Sequence, residues 1–329
     1  MRASTPNNQI KLPLSMAEVD RAAHLRTDET YLKNAWKSGL VLQFNDEKFL
    51  SEDQQLKFTT GDQLGDYKPE SDYFLGINKL ANGLVENFFI RNLSVVKSTI
   101  DPEQNLEPQA SPESVDSNLK TLREIGAFLS PRDIGLAVHA QGLANWHKKH
   151  TRCSQCGAAT TVISGGSVRK CLIDESEHYP RTDSAIIVLV KDDQDRVLLG
   201  RQKVWPKNRF STFAGFVEPG ESFEHCVVRE VFEEAGVALS KINYLGSQPW
   251  PFPSSLMIAF EAITTNPAAA RPDGDEIEEI RWYSRADMKT AIANKTLILP
   301  LEISVARQMI NSWYGEAAAF ELKGNESWR

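Results

Sequence analysis

No stretch of this 329-residue chain is apolar for long enough to cross a bilayer. The longest strongly apolar run, "AIIVLV" from Ala185 to Val190, falls far short of the roughly 20 residues a membrane helix needs. The N-terminus, "MRASTPNNQIKL", lacks the apolar core of a secretory signal. A cytoplasmic protein with no membrane partner is therefore expected. Cysteine is scarce: four residues do not make a disulfide framework in a chain of this size. Basic excess is also missing, with 37 Lys and Arg against 44 Asp and Glu and a net charge of −7. Such a chain does not coat nucleic acid or anionic membrane, although one local basic site remains compatible with it. No internal repeat is found.

What is present is an ordinary globular composition, 41% hydrophobic and 25% charged, with enough length for two or three compact units. Residues 1–130 mix acidic stretches such as "NDEKFLSEDQQ" with short β-like runs, "GLVLQF" and "GLVENFFI". Thr99 to Asn118, rich in Pro, Ser and acid, reads as a loop or linker. Residues 131–180 hold a helical stretch from Pro131 and then a cysteine cluster: Cys153-x2-Cys156, with Cys171 fifteen residues on and Gly165–Gly166 at a hairpin turn between them. Cys226 stands apart in a helical pattern, as a small buried apolar residue. Residues 181–329 alternate strands and helices: "SAIIVLVKDDQDRVLLGRQ" as strand, turn, strand, then a capped helix, strands at "LMIAFEA" and "EIRWYS", and a helix over Leu301 to Trp313. This alternation predicts an α/β sandwich with a mixed sheet, and an α+β class for the whole chain.

The stretch "SQPWPFPSS" (Ser247–Ser255) alternates prolines with aromatics. Its prolines fix φ and remove backbone donors, which excludes an interior strand or a helix. Burial of Trp250 and Phe252 and stacking of those rings on a ligand account for it equally well until its surroundings are considered.

The chemistry is concentrated between Gly215 and Val237. Ser222 is placed as an N-cap and Gly236 as the C′ stop of one helix. Phe223, Val227, Val228, Val231, Phe232 and Ala235 predict its apolar face. Glu230, Glu233 and Glu234 lie at i, i+3, i+4 and gather on another face. Their repulsion costs an isolated helix a few tenths of a kcal/mol, and a hard divalent cation would turn it into ligation. The spacing G-x5-E-x7-R-E-U-x-E-E-x-G-U, with U apolar, is met at Gly215, Glu221, Arg229, Glu230, Val231, Glu233, Glu234, Gly236 and Val237. This is the Nudix box, and the chain resembles the Nudix hydrolase superfamily.

That resemblance implies a pyrophosphatase acting on a nucleoside diphosphate linked to another group, on a C-terminal Nudix α/β/α sandwich. It implies Mg²⁺ or Mn²⁺ held by Glu230, Glu233, Glu234 and the Ala214 carbonyl. It also implies Glu234, with Glu230 and Glu233, as the catalytic carboxylates, Glu234 orienting or deprotonating water, and Arg229 bracing Glu221 and the loop.

Gln248, Pro249, Trp250, Pro251, Phe252, Pro253, Ser254 and Ser255, a Q-P-W-P-F-P-x-S motif after the box, resemble the NADH pyrophosphatase (NudC-like) branch. "HYPRTD" (His178–Asp183) agrees with it, as, more weakly, does "LSMAEVDRAAHLR" with N-terminal regions of actinobacterial relatives. The branch implies substrate contacts at Tyr179, Phe216, the Gln248–Ser255 loop and Ala306, and a further metal glutamate at Glu276. It implies a homodimer hydrolysing NADH or NAD⁺ to NMN(H) and AMP, and removing NAD caps from RNA 5′ ends. The alternatives are ADP-ribose, a nucleotide sugar or FAD as substrate, or a non-catalytic ligand sensor. The N-terminal segment would be an NADH-pyrophosphatase-like domain, followed by a zinc ribbon. Here the chain departs from its relatives: Cys153, Cys156 and Cys171 lack a fourth cysteine. His178 is the expected fourth ligand of a structural Zn²⁺, with Asp174 as one alternative and a degenerate site, in which packing replaces the metal, as the other.

Overall fold

The computed structural model describes residues 10–98 and 118–323, with the side chains of 96–98 left aside; the expected linker therefore lies outside the described residues, apart from Asn118. The chain divides into two compact units. One comprises Met16–Thr182 with Pro251–Ser254, the other Met1–Ser15, Asp183–Trp250 and Ser255–Arg329.

In the first unit, helix α1 (Glu29–Ser38) precedes strands β1 (Leu40–Asn45), β2 (Lys48–Glu52), β3 (Gln55–Leu56), β4 (Phe58–Thr60), β5 (Asp72–Lys79) and β6 (Val85–Asn92). Helix α2 (Leu93–Ser98), strand β7 (Leu119–Thr121) and helix α3 (Leu122–Ile125) follow. Among the described residues the strands form one sheet in the order β3-β2-β1-β6-β5, with β4 on β1 and β7 on β2. Apolar residues of α1 and the sheet close a core of Leu32, Ala35, Trp36, Val41, Phe74, Ile77 and Phe89. Beside it Arg91 makes a buried two-pronged pair with Asp72, at 2.7 and 2.6 Å. Charges so desolvated are tolerated only when paired in this way.

Helix α4 (Pro131–Lys149) is capped by Ser130, whose hydroxyl accepts from the Asp133 amide, and Pro131 occupies its first turn. It is buried over much of its circumference and packs against β5 and β6. Residues 131–149 consequently belong to the same unit as the N-terminal sheet, rather than to a separate segment starting at 131. Near its end His147 stacks on Tyr73 at 4.1 Å and bonds to Gly166 O at 2.8 Å and Arg169 Nη1 at 3.0 Å. Arginine only donates, so Nδ1 accepts and Nε2–H donates to the carbonyl. Burial holds the ring neutral, with its pKa lowered to about 3. The last three strands, β8 (Thr160–Ile163), β9 (Val168–Cys171) and β10 (Glu177–His178), form a small sheet of their own in the order β10-β9-β8.

The second unit contains β11 (Asp183–Lys191), β12 (Val197–Gln202), β13 (Phe213–Phe216), helix α5 (Phe223–Ala235), β14 (Leu239–Trp250), β15 (Ser255–Thr264), β16 (Ile277–Tyr283) and helices α6 (Arg285–Ala293), α7 (Val305–Tyr314) and α8 (Ala318–Glu321). Its sheet runs β14-β15-β11-β12-β16 with β13 on β11; β11 and β15 are parallel and the other pairs antiparallel. The run "AIIVLV" explains the layering. Successive side chains of a strand point to opposite faces. Ile186, Val188 and Val190 pack with Cys226, Val227, Val231 and Ala235 of α5. Ile187 and Leu189 pack with Val305, Ala306, Met309, Ile310 and Trp313 of α7. A strand covered on both faces needs this unbroken apolar sequence, and the result is a sandwich of helices around a mixed sheet.

Two boundaries differ from expectation. Ile10 and Leu12 belong to the α7-side core of this unit, and the Leu14 amide donates to Gln248 Oε1 at 3.0 Å, so residues 10–15 do not group with the N-terminal sheet. The C-terminal helix begins at Val305, because Ser304 caps it.

Candidate active site

Strand β13 delivers Ala214 and Gly215 beside β11, where they pair with Ile187 and Ile186, and its loop turns into α5. Ser222 Oγ accepts from the His225 amide, and Gly236 ends the helix at φ 68°, a conformation costly for any residue with a Cβ. The predicted apolar face needs correction. Val227, Val231 and Ala235 are buried together with Cys226, whereas Phe223, Val228 and Phe232 are exposed. At 3.6 residues per turn, Glu230 and Glu234 fall within the buried arc and not on a separate face. The carboxylates are therefore carried under the sheet.

Arg229 braces this arrangement. It forks onto Glu221 through Nε and Nη2, both at 2.8 Å. Its Nη1 reaches Glu230 at 2.7 Å and Glu233 at 3.1 Å, and Nη2 also donates to Phe216 O at 3.1 Å. The fork lowers Glu221 to about 2, and the surrounding carboxylates hold the guanidinium above its ordinary value. Gly215 makes room for the Glu230 carboxylate: a β-carbon there would fall on it and oblige it to move.

Glu234 is 4% exposed. The Ala214 backbone N–H donates to it, while Oε2 has no protein partner. Burial, then the charges of Glu276 and Glu230, push its pKa up to about 9 against the opposing Ala214 bond. Glu230 is also raised, by burial first, with Arg229 opposing and Glu233 and Glu276 adding. Glu276 is held by Gln202 Nε2 at 2.7 Å; nothing in the sequence pattern singles out Gln202. A buried, unpartnered carboxylate oxygen facing further carboxylates fits a hard divalent cation.

This electrostatics has a stability consequence. Glu234's folded pKa lies above its ordinary 4.5, so from pH 4.5 up to about 9 the folded state holds a proton that the unfolded state has released. Stability is full below that window and falls as pH rises through it. Without added divalent cation, the melting temperature of the wild type should drop between pH 5 and 9 relative to that of Glu234→Gln. Mg²⁺ should close the gap. Parallel melting curves for the two proteins would contradict the assignment.

The expected substrate residues are placed unequally. Phe216 and Tyr179 are 61% and 62% exposed, and Tyr179 donates to Glu177 at 2.6 Å. Trp250 and Phe252 are half-buried. The expected role of Gln248 is overturned for its side chain. It is fully buried, accepting from Leu14 and donating to Ile303 O at 2.9 Å; it fixes the strand and presents nothing. Pro249 and Trp250 lie in β14, paired with Leu256 and Ser255. This is an edge strand, a place where a sheet accepts proline. Pro251, Phe252, Pro253 and Ser254 group with α4 instead. The carbonyls of Pro251 and Pro253 accept from Gln141 and Asn145 at 2.9–3.0 Å, and the Arg123 guanidinium lies 4.3 Å over the Phe252 ring. Ala306 is buried in α7.

Cys153, Cys156 and Cys171 come together, and the fourth group beside them is Asp174, all four donor atoms lying within 4.8 Å of one another. His178, the expected fourth ligand, is not in this group; its Nε2 lies 3.3 Å from Ser176 Oγ. The signal that points to Asp174 is its spacing, since Cys171-x2-Asp174 repeats Cys153-x2-Cys156.

A carboxylate-bearing helix clamped by an arginine at the edge of an α/β/α sandwich is the site of a Nudix hydrolase. Residues 180–300 match the NUDIX domain family, and residues 148–179 match the NADH pyrophosphatase zinc ribbon domain. The chain is 35% identical over 309 residues to the NAD-capped RNA hydrolase NudC of Mycobacterium tuberculosis, covering 91% of this chain and 94% of that protein. It is 36% identical over 197 residues to the human NAD-capped RNA hydrolase NUDT12, covering 56% of this chain and 42% of that protein. A solved NUDIX hydrolase from Nitrosomonas europaea covers 42% of this chain and 79% of its own, at 22% identity and a TM-score of 0.36. The chain belongs to the NADH pyrophosphatase, NudC-like branch of the Nudix hydrolase superfamily.

Proposed function

We propose that the protein is a divalent-metal-dependent diphosphatase that hydrolyses NADH and NAD⁺ to NMN(H) and AMP and removes NAD caps from RNA 5′ ends. The observation that carries this is the intact box with Glu234 buried, unpartnered and crowded by carboxylates, in a chain related along most of its length to a NudC. Glu230, Glu234, Glu276, the Ala214 carbonyl and, from a more exposed position, Glu233 would hold Mg²⁺ or Mn²⁺. When bound, the metal supplies neutralisation of the diphosphate oxygens and a more acidic water. Glu234 is placed to orient the attacking water and to accept its proton. The water oxygen bonds to phosphorus, the P–O–P bridge breaks, and the bridging oxygen leaves with the other nucleotide. Arg229 and Gly215 keep the carboxylates positioned throughout.

Phe216 and Trp250 in one unit, and Tyr179 and Phe252 in the other, are each candidate surfaces for a ring of the substrate, held on stiff or paired backbone so that little entropy is lost on binding. Cys153, Cys156 and Cys171 form the core of a structural zinc site. A homodimer in the cytoplasm completes the reading; among the described residues no helix is long and apolar enough to cross a membrane. Trp250→Ala tests the ring assignment. It should impair NADH hydrolysis more than hydrolysis of a nucleoside diphosphate sugar, since stacking is worth about 1–3 kcal/mol per base. Equal losses on the two substrates, or a lowered melting temperature alone, would count against it.

A further inference from the structure

We propose that Asp174 is the fourth zinc ligand, so that the ribbon is a three-thiolate, one-carboxylate site with Ser176 orienting the carboxylate. This rests on the zinc reading above. The backbone carries the argument, because the two halves of the cluster repeat one another. In the first, the Gln155 amide donates to Cys153 Sγ at 3.3 Å. In the second, the Ile173 amide donates to Cys171 Sγ at 3.4 Å. The Cys153 amide donates to the carbonyl five residues on, Ala158, at 2.8 Å, and the Cys171 amide to the carbonyl five residues on, Ser176, at 2.9 Å. The residue after the fourth position of each half is left-handed: Gly157, after Cys156, at φ 76° and Glu175, after Asp174, at φ 60°. A glutamate adopts that conformation only at a cost, so the second half keeps the turn without the glycine that makes it easy. Asp174 thus occupies in the second turn the place that Cys156 occupies in the first.

Its two oxygens are used differently. Oδ1 accepts from the Ser176 amide at 3.0 Å and from Ser176 Oγ at 2.5 Å. Oδ2 is left facing the sulfurs, 3.4 Å from Cys153 Sγ, while Cys156 and Cys171 Sγ lie 3.5 Å apart. A carboxylate pinned at one oxygen offers the other as a single donor, which is what a tetrahedral zinc site takes. His178 stands one step out, against Ser176 Oγ, and is a positioning residue. Oxygen is a harder donor than thiolate. The site should therefore release zinc to a chelator more readily than its own all-thiolate variant, Asp174→Cys.

The test measures zinc content and chelator competition on the full-length protein purified without added metal, together with visible spectra of the Co²⁺-loaded form. About one zinc per chain is expected. Asp174→Ala should weaken zinc by at least the roughly 10–100-fold typical of losing even an outer-shell partner, and His178→Ala by less. Asp174→Cys should bind more tightly, and its thiolate-to-cobalt absorption should rise by about a third as three thiolates become four. That spectrum keeps the test decisive if Asp174→Ala does not fold. No zinc in the wild type would overturn the ribbon reading itself. Zinc in the wild type, lost in His178→Ala, with the Asp174→Cys cobalt spectrum unchanged, would overturn Asp174.

Discussion

Glu234→Gln should leave a folded protein whose turnover of NADH falls by at least about 10²-fold, the scale of losing a metal ligand together with a proton acceptor. The substitution keeps the shape of the side chain and its Ala214 contact but removes the charge. In the wild type that charge is expensive, since burial and the neighbouring Glu276 and Glu230 oppose it. A carboxylate kept at such cost, with one oxygen unpartnered, is built for a cation. The variant should accordingly melt no earlier than the wild type in the absence of divalent metal, while its activity is not recovered at high Mg²⁺. Near-normal turnover would remove Glu234 from the mechanism.

Gly215→Ala should be nearly as damaging, although it adds only a methyl group to a residue that touches no substrate in this account. The new β-carbon falls on the Glu230 carboxylate, and that carboxylate is already held by Arg229 at 2.7 Å. Making room for the methyl group means swinging that carboxylate away and loosening its hold on the arginine. Displacing a metal-holding group in this way should cost about 10–100-fold in activity or metal affinity, and raise the Mg²⁺ or Mn²⁺ concentration needed for half-maximal rate. Gly142→Ala is the matched control, because that glycine lies in α4 with open space around its added carbon. Wild-type kinetics and metal demand in Gly215→Ala would show that Glu230 does not depend on this close approach.

The box is legible in the sequence because its contacts are local. Gly215, Glu221, Arg229, Glu230 and Glu234 lie on one strand, one turn and one helix, so spacing alone brings them together. Which side of the helix is buried is less legible. Phe223, Val228 and Phe232 carry the same apolar signal as Val227 and Val231, and only the position of the sheet decides between them. Gln248 sits inside a substrate-like motif yet serves the core, since its partners, Leu14 and Ile303, are far away along the chain. In the N-terminal sheet, β2 and β5 are obscured by acidic and polar neighbours; α1 helps to cover β5, and β2 pairs with β7, far along the chain. Asp174 is legible only as an alternative to His178, because its spacing after Cys171 matches that of Cys156 after Cys153 while a carboxylate is a less usual structural zinc ligand than an imidazole.

The central claim is the chemistry: cleavage of the diphosphate bridge in NAD(H) and in NAD-capped RNA. The most direct measurement is chromatographic identification of the products formed from NADH, NAD⁺, a 5′-NAD-capped RNA, ADP-ribose and FAD, each with Mg²⁺ or Mn²⁺ and with chelator. The account predicts NMNH and AMP from NADH, NMN and a 5′-monophosphate RNA from the capped transcript, and no products in chelator. Intact NADH and intact cap, alongside metal-dependent hydrolysis of ADP-ribose or FAD, would contradict it.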